Sequence, residues 1–465
     1  IETFENMKVN LRRKRQMSSK LKSMQNSPGN ILKLMILLII CVSFITLFYN
    51  VRLYLSSNTI PNKAHGVQSI NNIKKEEIAI SSKNNNNELM PHANANANAV
   101  TICYAVSVTS CTNDQALIDA AAVLKHSIYL SSIRNPKKSV SKYDFQMAAI
   151  IHVGAVDCIA SKMESLGYKI YVRDTPVQVE EIEGEFLRSK VRDNGCCGEK
   201  EYIKLWSFAM TEYPIVVHLD LDTVVFRPLD ALFDLMLTSS TQKWTNEMID
   251  AISPMWPDKP LPTDIQAYFT RDYNMANPSK PAKHVGIQGG FFVVRPNMER
   301  FNELKEIIRK GDYRSGSGWG GLNFGPFYGG MTFQGIIPYF YDALHPNTAI
   351  ELNRCYYNNM GDNPRTNPTK NNIVSGICRD GREDCEDCRE LDVDEVMTAH
   401  FTLCQKPWLC LNHDKNDLRY RLCGDMHRKW FQIRADLEGG NGKSSYEVEQ
   451  YFGFCTSTRK TGYIP

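Results

Sequence analysis

Two aspartates stand one residue apart in the apolar stretch VVHLDLDTVVF, residues 216–226. An ionised carboxylate in apolar surroundings is costly unless it is paired or coordinates a metal. Where a strand ends, Asp220 and Asp222 can converge on one hard cation and leave coordination positions for phosphate oxygens. The alternative is that both aspartates only form or cap a turn. This stretch alone leaves both interpretations open.

The elements that must position these aspartates alternate between strand and helix from Val100 onward. The runs VTICYAVSV, FQMAAIIHV and YKIYVRDT are β-rich, and the segments between them have apolar residues at helical spacing. This alternation predicts an α/β fold, a mainly parallel sheet flanked by helices. Ligands bind such sheets at the carboxyl ends of strands, and Asp220 and Asp222 follow the fourth apolar strand. An amphipathic helix at 426–438 is expected to pack on this domain.

Overall composition and charge limit the class of protein. The chain has 465 residues, of which 43% are hydrophobic and 23% charged, with a net charge of +3. This is an ordinary globular composition, and the small net charge gives no indication of a nucleic-acid partner.

The residues before Val100 divide into three segments. Residues 1–30 form a basic tail, residues 31–55 include the apolar run Leu34 to Phe48, and residues 56–99 are rich in Asn, Ser and Lys. Basic residues ahead of an apolar run favour a cytosolic N-terminus. We therefore expect a single transmembrane signal anchor, then a flexible low-complexity stem, then a lumenal domain over residues 100–465. A cleaved signal peptide is the alternative.

Cysteine usage fits an oxidising compartment, because 13 of the 14 cysteines follow the stem. In GICRDGREDCEDCRE, Cys378, Cys385 and Cys388 favour disulfides in a lumenal loop. A zinc knuckle would need four ligands, and a redox Cys-x-x-Cys would need a thioredoxin-like setting. A cysteine-based oxidoreductase would rest on Cys385 and Cys388 alone.

Four motifs, in this order, resemble the retaining family 8 glycosyltransferases, which include glycogenin and the plant Golgi glucuronyltransferases. They are KLWSF from Lys204, LDLDTVVFRPLDALFDL with its Asp-x-Asp, GIQGGFFVVRP from Gly286 and AHFTLCQKPW from Ala399. The last is similar to that family's His-Phe-x-Gly-x-x-Lys-Pro-Trp element. The resemblance covers Val100 to about Leu411. It implies a GT-A fold, a divalent metal that is usually manganese, and a UDP-sugar donor.

The resemblance also implies roles for individual residues. Asp220, Asp222 and His400 would hold the metal. The nucleotide would contact Tyr104, Lys204, Leu221 and Lys406. The donor sugar or the acceptor would contact Gln288, Gly289, Gly290 and Gln334. Asp220, Asp222, Lys204 and Lys406 would be catalytic, since positive charge aimed at a leaving diphosphate stabilises the transition state more than the ground state.

Some positions are open to a second interpretation or depart from the family pattern. Tyr104 is expected at the end of the first strand, where this fold stacks uracil, or else in the core. Gln288 replaces a more frequent Asn, Leu403 replaces a glycine, and Phe333 stands where an acidic residue is common.

The glycine-rich segment RSGSGWGGLNFGPFYGG, residues 314–330, has no counterpart among these motifs. It is either a flexible insertion or an acceptor platform in which Trp319 or Tyr328 stacks on a sugar ring.

The sequence thus predicts a type II, single-pass membrane protein of the Golgi or ER. Its lumenal domain would be a metal-dependent retaining glycosyltransferase that transfers a hexosyl, glucuronosyl or N-acetylhexosaminyl group. The donor would be a UDP-sugar and the acceptor a glycan, glycoprotein or glycolipid, with no nucleic-acid partner. The alternative is a lumenal carbohydrate-binding or scaffold protein that kept the fold and lost turnover, which Phe333 and Leu403 motivate.

Overall fold

A computed structural model of the protein describes residues 99–111, 115–135, 140–238, 261–275, 285–366, 373–379, 383–409 and 417–440. The predicted tail, signal anchor and stem lie outside the described residues, apart from residue 99, and remain predictions. Within the described ranges, none of the helices has the length and hydropathy of a membrane-spanning segment.

Across the described residues, eleven strands form one large and two small sheets. The strands are β1 (Thr101–Val108), β2 (Asp144–His152), β3 (Lys169–Arg173), β4 (Val216–Leu219), β5 (Thr223–Val225), β6 (Ala267–Arg271), β7 (Ile287–Val294), β8 (Tyr313–Arg314), β9 (Gly318–Trp319), β10 (Ala349–Glu351) and β11 (Thr398–His400). The large sheet has the order β10-β6-β7-β4-β1-β2-β3. Only β7 is antiparallel to its neighbours among these seven described strands. The predicted α/β class with a mostly parallel central sheet is confirmed.

Helices cover both faces of this sheet. The α-helices are α1 (Gln115–Leu130), α2 (Val156–Ser165), α3 (Glu185–Lys190), α4 (Asp230–Leu237), α5 (Met298–Lys310), α6 (Phe333–Pro338), α7 (Arg354–Tyr357) and α8 (Arg421–Gly440). A 3₁₀ segment spans Gly198–Ala209 and a π-helical turn spans Tyr339–Leu344. Shorter 3₁₀ turns lie at Val153–Ala155, Val179–Glu181, Val191–Asp193, Tyr273–Met275, Cys388–Glu390 and Pro407–Leu409.

Local sequence explains the bounds of α5. The Asn297 side chain accepts hydrogen bonds from the backbone N–H groups of Glu299 and Arg300, which would otherwise lack partners at the helix start. At the other end Gly311 has φ of 60°, the left-handed conformation that closes a helix and that glycine adopts without strain.

Alternation along β1 divides the core into two layers. Tyr104 and Val106 belong to the layer that includes α1 and α4, whereas Cys103 and Ala105 belong to the layer beneath the 3₁₀ segment. Both faces of the strand are therefore buried, as expected for the centre of a parallel sheet.

The C-terminal helix packs where the sequence predicted it. In α8, Leu422, Met426 and Trp430 are buried in a third cluster with Ala120 and Val123 of α1. The prediction of an amphipathic helix on the domain is confirmed.

Four disulfides link eight of the described cysteines: Cys111–Cys158, Cys355–Cys388, Cys378–Cys385 and Cys404–Cys423. The prediction of disulfides at Cys378, Cys385 and Cys388 is confirmed. Because Cys385 and Cys388 pair with different partners, they do not form a redox Cys-x-x-Cys, and the basis for an oxidoreductase is removed.

The directions of the strands bring the ends of β4, β6 and β7 together at one edge of the large sheet. β4 and β6 run parallel to each other on either side of the antiparallel β7, so the carboxyl ends of β4 and β6 lie beside the amino end of β7. The backbone N–H of Asp220 donates to Gly290 O at 3.2 Å, and that of Asp272 donates to Gly286 O at 2.9 Å. This edge of the sheet is called the site edge below.

Candidate functional site

Two distant parts of the chain meet at the site edge. Asp220 directly follows β4, and β5 then leaves the large sheet to pair antiparallel with β11, which places His400 opposite Thr223. The Phe401 N–H donates to the Asp222 carbonyl at 2.9 Å. The pairing of β5 with β11 therefore fixes His400 beside the two aspartates.

Asp220 and Asp222 make the same pair of contacts, one carboxylate oxygen with a lysine and the other facing His400. Asp220 accepts a hydrogen bond from Lys204 through Oδ1 at 2.9 Å, and its Oδ2 lies 3.8 Å from His400 Nε2. Asp222 Oδ2 contacts the Lys406 ammonium, and its Oδ1 lies 3.4 Å from His400 Nε2. Each aspartate thus gives one oxygen to a lysine and turns the other toward the same imidazole nitrogen.

The spacing of these three atoms suits a metal ion better than a hydrogen-bonded cluster. The 3.4 and 3.8 Å separations exceed the usual 2.7–3.2 Å range for N–H···O bonds, while all three ligand atoms lie within 4.8 Å of one another. Two ligands held about 2.1 Å from one ion lie roughly 3.0–3.5 Å apart. Carboxylate oxygens with one imidazole nitrogen form a donor set that suits manganese or a similar divalent cation. The residues present fit a metal.

The imidazole of His400 occupies space that is open only because residue 290 is a glycine. A Cβ at position 290 would lie 2.2 Å from His400 Cε1, so only glycine lets the imidazole rest against β7. Burial lowers the pKa of His400 to about 4, and the nearby Asp220 carboxylate only partly opposes this effect. The ring is therefore neutral at pH 7, which a metal ligand requires. Its Nδ1 has no hydrogen-bond partner among the described residues.

Lys204 is buried at the centre of a second set of contacts. Its Nζ lies 2.9 Å from Asp220 Oδ1, 3.0 Å from the Gly289 carbonyl oxygen and 3.3 Å from Glu201 Oε2. Burial alone would lower the pKa of Lys204, but the Asp220 and Glu201 carboxylates outweigh burial and raise it. Burial would likewise raise the pKa of Asp220, yet the Lys204 ammonium holds it below its usual value. Both groups are consequently charged at neutral pH.

Lys406 approaches from the other side of the cluster. Burial lowers the pKa of Lys406 to about 8, although the Asp220 carboxylate opposes this. Its neighbour Gln405 has φ of 66°, a conformation uncommon outside glycine. Leu403, at the position of the family's glycine, has no such φ and is 47% exposed. Leucine therefore fits this position without backbone strain.

The residues expected around the donor sugar gather on the Lys204 side. Gln288 Oε1 accepts from the Gly290 N–H at 2.5 Å, and a Cβ at Gly289 would lie 3.2 Å from Lys204 Nζ and 3.5 Å from Gln334 Cγ. Leu221, between the two aspartates, is partly buried against the core. The structure thus places Gln288, Gly289, Gly290 and Gln334 next to the cluster of Asp220, Asp222 and His400.

Tyr104 lies elsewhere. The expectation that it ends the first strand is wrong, because β1 continues to Val108. The ring is buried in the α1–α4 layer and meets Phe233 edge-on with 6.4 Å between centroids. Burial raises the pKa of Tyr104 well above its usual range. This position matches the core alternative.

The glycine-rich segment packs around Trp319, so Trp319 does not form a sugar platform. The Trp319 ring is fully buried and packs edge-on against Tyr313, and Trp319 Nε1 donates to the Gly330 carbonyl at 2.8 Å. Tyr328 is 38% exposed, so the platform alternative stays a prediction for this residue.

Phe333 occupies the position of the missing acid as a core residue. It is fully buried and packs edge-on against Phe292, with its ring centroid 6.0 Å from Lys204 Nζ. The buried ring leaves no polar group at this position to meet a substrate.

The sequence interpretation missed Glu201 and Asp272. Glu201 lies three residues before Lys204 in the 3₁₀ segment, a spacing that could have indicated the pairing. Asp272 follows β6 at the site edge, and burial with the neighbouring Asp362 raises its pKa to about 6 against the opposing effect of Arg354. An acidic residue directly after an apolar strand was the available signal, as at Asp220.

No protein-family model matches the sequence, and no curated protein matches it. Solved structures with a similar backbone include mouse xyloside xylosyltransferase 1, at 13% identity and a TM-score of 0.33 over 56% of this chain and 87% of that chain. The bifunctional glycosyltransferase WbbM has 14% identity and a TM-score of 0.37 over 75% and 51% of the two chains. The galactosyltransferase LgtC, in complex with donor and acceptor sugar analogues, has 11% identity and a TM-score of 0.35 over 74% and 99%. TM-scores this low support no conclusion about activity, so function has to be argued from the site itself.

Proposed function

We propose that the protein is a metal-dependent glycosyltransferase that moves a sugar from a UDP-sugar to a glycan, glycoprotein or glycolipid acceptor with retention of configuration. The observation that carries this proposal is the convergence of Asp220 Oδ2, Asp222 Oδ1 and His400 Nε2 on one point, with a lysine on the outer oxygen of each aspartate. Few reactions need a divalent cation and two buried lysines side by side, and transfer from a nucleotide diphosphate is one of them.

Charge supports a cation at this point. Three carboxylates, those of Asp220, Asp222 and Glu201, face two ammonium groups, and His400 is neutral. The cluster is therefore negative, and its burial weakens screening by solvent. When bound, a divalent metal would neutralise the diphosphate and stabilise the charge that grows on it as the glycosidic bond breaks.

The chain's own groups have separate tasks in this proposal. Lys204, held by three oxygen acceptors, fixes the orientation of Asp220. Lys406 has one partner in this cluster, the Asp222 carboxylate, and can turn from it to a phosphate oxygen of the donor. The amides of Gln288 and Gln334, which lie beside Gly290 and Gly289, are assigned to recognition of donor-sugar hydroxyl groups.

Retention is assigned to front-face transfer, in which the leaving phosphate accepts the proton of the acceptor hydroxyl. Neither Asp220 nor Asp222 is a suitable covalent nucleophile, because one oxygen of each contacts a lysine and the other would bind the metal. This assignment needs no further side chain as nucleophile.

The experiment that tests the function is a panel of UDP-sugars and other sugar nucleotides incubated with the full-length protein and manganese. We expect UDP release from one or a few UDP-sugars, loss of release with a chelator and its return when manganese is added. The donor with the highest rate identifies the sugar. Equal release with and without the chelator would contradict a metal-dependent transfer.

A second candidate is a carbohydrate-binding or scaffold protein on the same fold. The buried Phe333 favours it, because the ring removes a polar group that would otherwise face sugar or acceptor. The same panel separates the two, since this candidate predicts saturable sugar-nucleotide or glycan binding with no UDP release.

We further propose that the protein is a type II membrane protein with its catalytic domain in the Golgi or ER lumen. Support comes from the basic residues before Leu34, the apolar run that follows and the four disulfides. Protease added to intact microsomes should spare the region after Val100. Digestion of that region would contradict this topology.

A further inference from the structure

Cys196 and Cys197 are adjacent residues that sit just before the 3₁₀ segment, and their thiols nearly touch. The two Sγ atoms are 2.8 Å apart, and neither cysteine belongs to a disulfide. Gly195 and Gly198 on either side have φ of 70° and 61°, left-handed conformations that only glycine adopts easily. The backbone is therefore shaped to present both thiols together.

This dithiol lies at the site edge. Cys196 Sγ donates to Glu201 Oε1 at 2.7 Å, Glu201 Oε2 lies 3.3 Å from Lys204 Nζ, and Lys204 reaches Asp220 at 2.9 Å. Cys197 receives a hydrogen bond from the side chain of Thr109, which follows β1. A continuous chain of polar contacts thus runs from the dithiol to the metal-binding aspartate.

The distance between the two sulfur atoms distinguishes a zinc site from a pair of thiols that can form a disulfide. Two thiolates bound to one zinc ion at about 2.3 Å in tetrahedral geometry lie roughly 3.8 Å apart, whereas bonded sulfurs lie about 2.0 Å apart. The observed 2.8 Å is too short for shared coordination. It is a distance from which a disulfide can form with a small movement.

The environment of the pair also differs from that of the other described cysteines. Eight of them are already paired, and Cys103 is buried inside the sheet, whereas Cys196 is exposed and Cys197 partly so. A disulfide between adjacent residues spans a Cα separation of about 3.8 Å, shorter than the 4.4–6.8 Å of ordinary disulfides. Such a bond is more easily reduced than a structural one, so it can form and break while the others persist.

We propose that Cys196 and Cys197 are a reversible oxidation site that forms a vicinal disulfide and thereby adjusts the metal-binding site through Glu201 and Lys204. The partner is a small-molecule or protein disulfide. The link to metal binding rests on the proposed function, whereas the oxidation of the dithiol does not.

The exchange balances without any other reactant. One cysteine thiolate attacks the incoming disulfide, forms a mixed disulfide and releases one thiolate. The second cysteine thiolate attacks the protein sulfur of the mixed disulfide, closes the Cys196–Cys197 bond and releases the second thiolate. The protein loses two protons and two electrons, and the incoming disulfide is reduced to two thiols. The Cys196 thiol lowers the pKa of Cys197 in spite of burial, which makes Cys197 the better first nucleophile.

Oxidation changes the contacts of Lys204. The disulfide has no S–H, so Glu201 loses its hydrogen bond from Cys196 and keeps Lys204 as its partner in this chain. The Lys204 ammonium is then drawn toward Glu201 and away from Asp220. Its repulsion of a cation at Asp220 falls, and manganese affinity rises by about fivefold, a coupling of ordinary size between adjacent sites.

The test uses the full-length protein equilibrated with oxidised or reduced glutathione. Mass spectrometry of the peptide that contains both cysteines detects disulfide formation as the loss of two hydrogen atoms. The same digest shows whether the other four disulfides are intact. Electron paramagnetic resonance of free manganese then gives the affinity of each form. We expect complete, reversible oxidation of the pair and about fivefold tighter manganese binding in the oxidised form.

Two variants separate the parts of the proposal. Cys196→Ser with Cys197→Ser cannot be oxidised but keeps a hydroxyl donor for Glu201, so it should bind manganese like the reduced protein under both conditions. Glu201→Gln should still oxidise, but its manganese affinity should no longer depend on oxidation.

Other outcomes would overturn the proposal. Both thiols staying open to alkylation in oxidised glutathione would do so, as would zinc bound by the wild type and lost in the double serine variant. Equal manganese affinity of the two forms would overturn the link to the metal site. No manganese binding in either form would contradict the proposed function, while the mass measurement would still decide the fate of the dithiol.

Discussion

Two buried charge clusters lie at the site edge, and they satisfy their charges differently. In the arginine cluster, after β6, Arg354 Nη1 lies 2.7 and 2.6 Å from the two oxygens of Asp362, and Arg271 reaches Glu351 at 3.0 Å. In the metal cluster, after β4, the inner oxygens of Asp220 and Asp222 face His400 Nε2 at 3.8 and 3.4 Å.

The comparison teaches how a structural ion pair differs from a ligand site. The guanidinium groups of the arginine cluster donate hydrogen bonds directly to carboxylates at normal distances, so the carboxylates of that cluster have cationic partners within the chain. The metal cluster aims acceptors at a neutral imidazole across distances too long for hydrogen bonds. With its proton on Nδ1, the neutral imidazole offers Nε2 as a third acceptor beside the two carboxylate oxygens, and three acceptors that face one another lack only a cation. Each prediction below tests this difference.

The largest effect is expected from breaking the arginine cluster. Asp362→Asn removes the carboxylate that accepts hydrogen bonds from the buried Arg354 guanidinium and should lower the free energy of unfolding by about 3–5 kcal/mol. Chemical denaturation measures the loss. UDP release per folded molecule should stay near the wild-type value, because Asp362 is not one of the three residues that could hold a metal at this site. A variant as stable as the wild type would show that this cluster does not support the fold.

The matching change in the metal cluster should act on turnover instead. Asp222→Asn removes one anionic ligand and should reduce UDP release by about a hundredfold or more while the protein stays folded. Steady-state rates at saturating manganese, with thermal unfolding as the control, measure both effects. Unchanged activity would return Asp220 and Asp222 to a turn-forming role.

Asp272 interacts electrostatically with His400 of the metal cluster and with Arg354 of the arginine cluster. Its carboxyl group should make the stability of the protein depend on pH. Its pKa of about 6 in the folded protein lies above the ordinary value of 3.8. The folded state therefore binds more protons between these values, and the stability that Asp272 contributes below about pH 4 is lost as pH rises through 6. Asp272→Asn should remove this decline, about 2–3 kcal/mol between pH 4 and 7. If the free energy of unfolding depended on pH in the same way in the wild type and the variant, the raised pKa of Asp272 would be refuted.

A smaller effect is expected from filling the space beside His400. Gly290→Ala places a methyl group against the imidazole and should displace it, weakening manganese affinity by roughly tenfold. Gly424→Ala is the control, because a Cβ there comes no closer than 3.6 Å to the Arg428 side chain. Manganese titration of both variants measures the effect. Equal affinities would mean that the His400 position does not depend on Gly290.

The sequence was sufficient for the sheet and the aspartates because both depend on local pattern. Alternating strands and helices predicted the parallel sheet, and carboxylates directly after an apolar strand marked its carboxyl end. The approach of His400 depends on pairing between β5 and β11, which no local pattern encodes, and only the resemblance of HFTLCQKPW indicated it.

The errors have physical reasons of the same kind. The expectation for Tyr104 follows the resemblance, in which an aromatic at the strand end stacks on uracil, whereas the strand here continues four residues further, to Val108. Trp319 was treated as a surface aromatic because glycines surround it, but those glycines let the segment fold over the ring and bury it. The dithiol escaped notice because adjacent cysteines match no familiar metal or redox spacing.

The central claim is that Asp220 and Asp222 hold a metal together with His400, and direct manganese binding tests it. Electron paramagnetic resonance of free manganese should give an affinity for His400→Ala that is roughly 10- to 100-fold weaker than that of the wild type. Lys406→Ala, which removes a neighbouring positive charge and no ligand, should bind manganese at least as tightly as the wild type. Wild-type affinity in His400→Ala would contradict the claim.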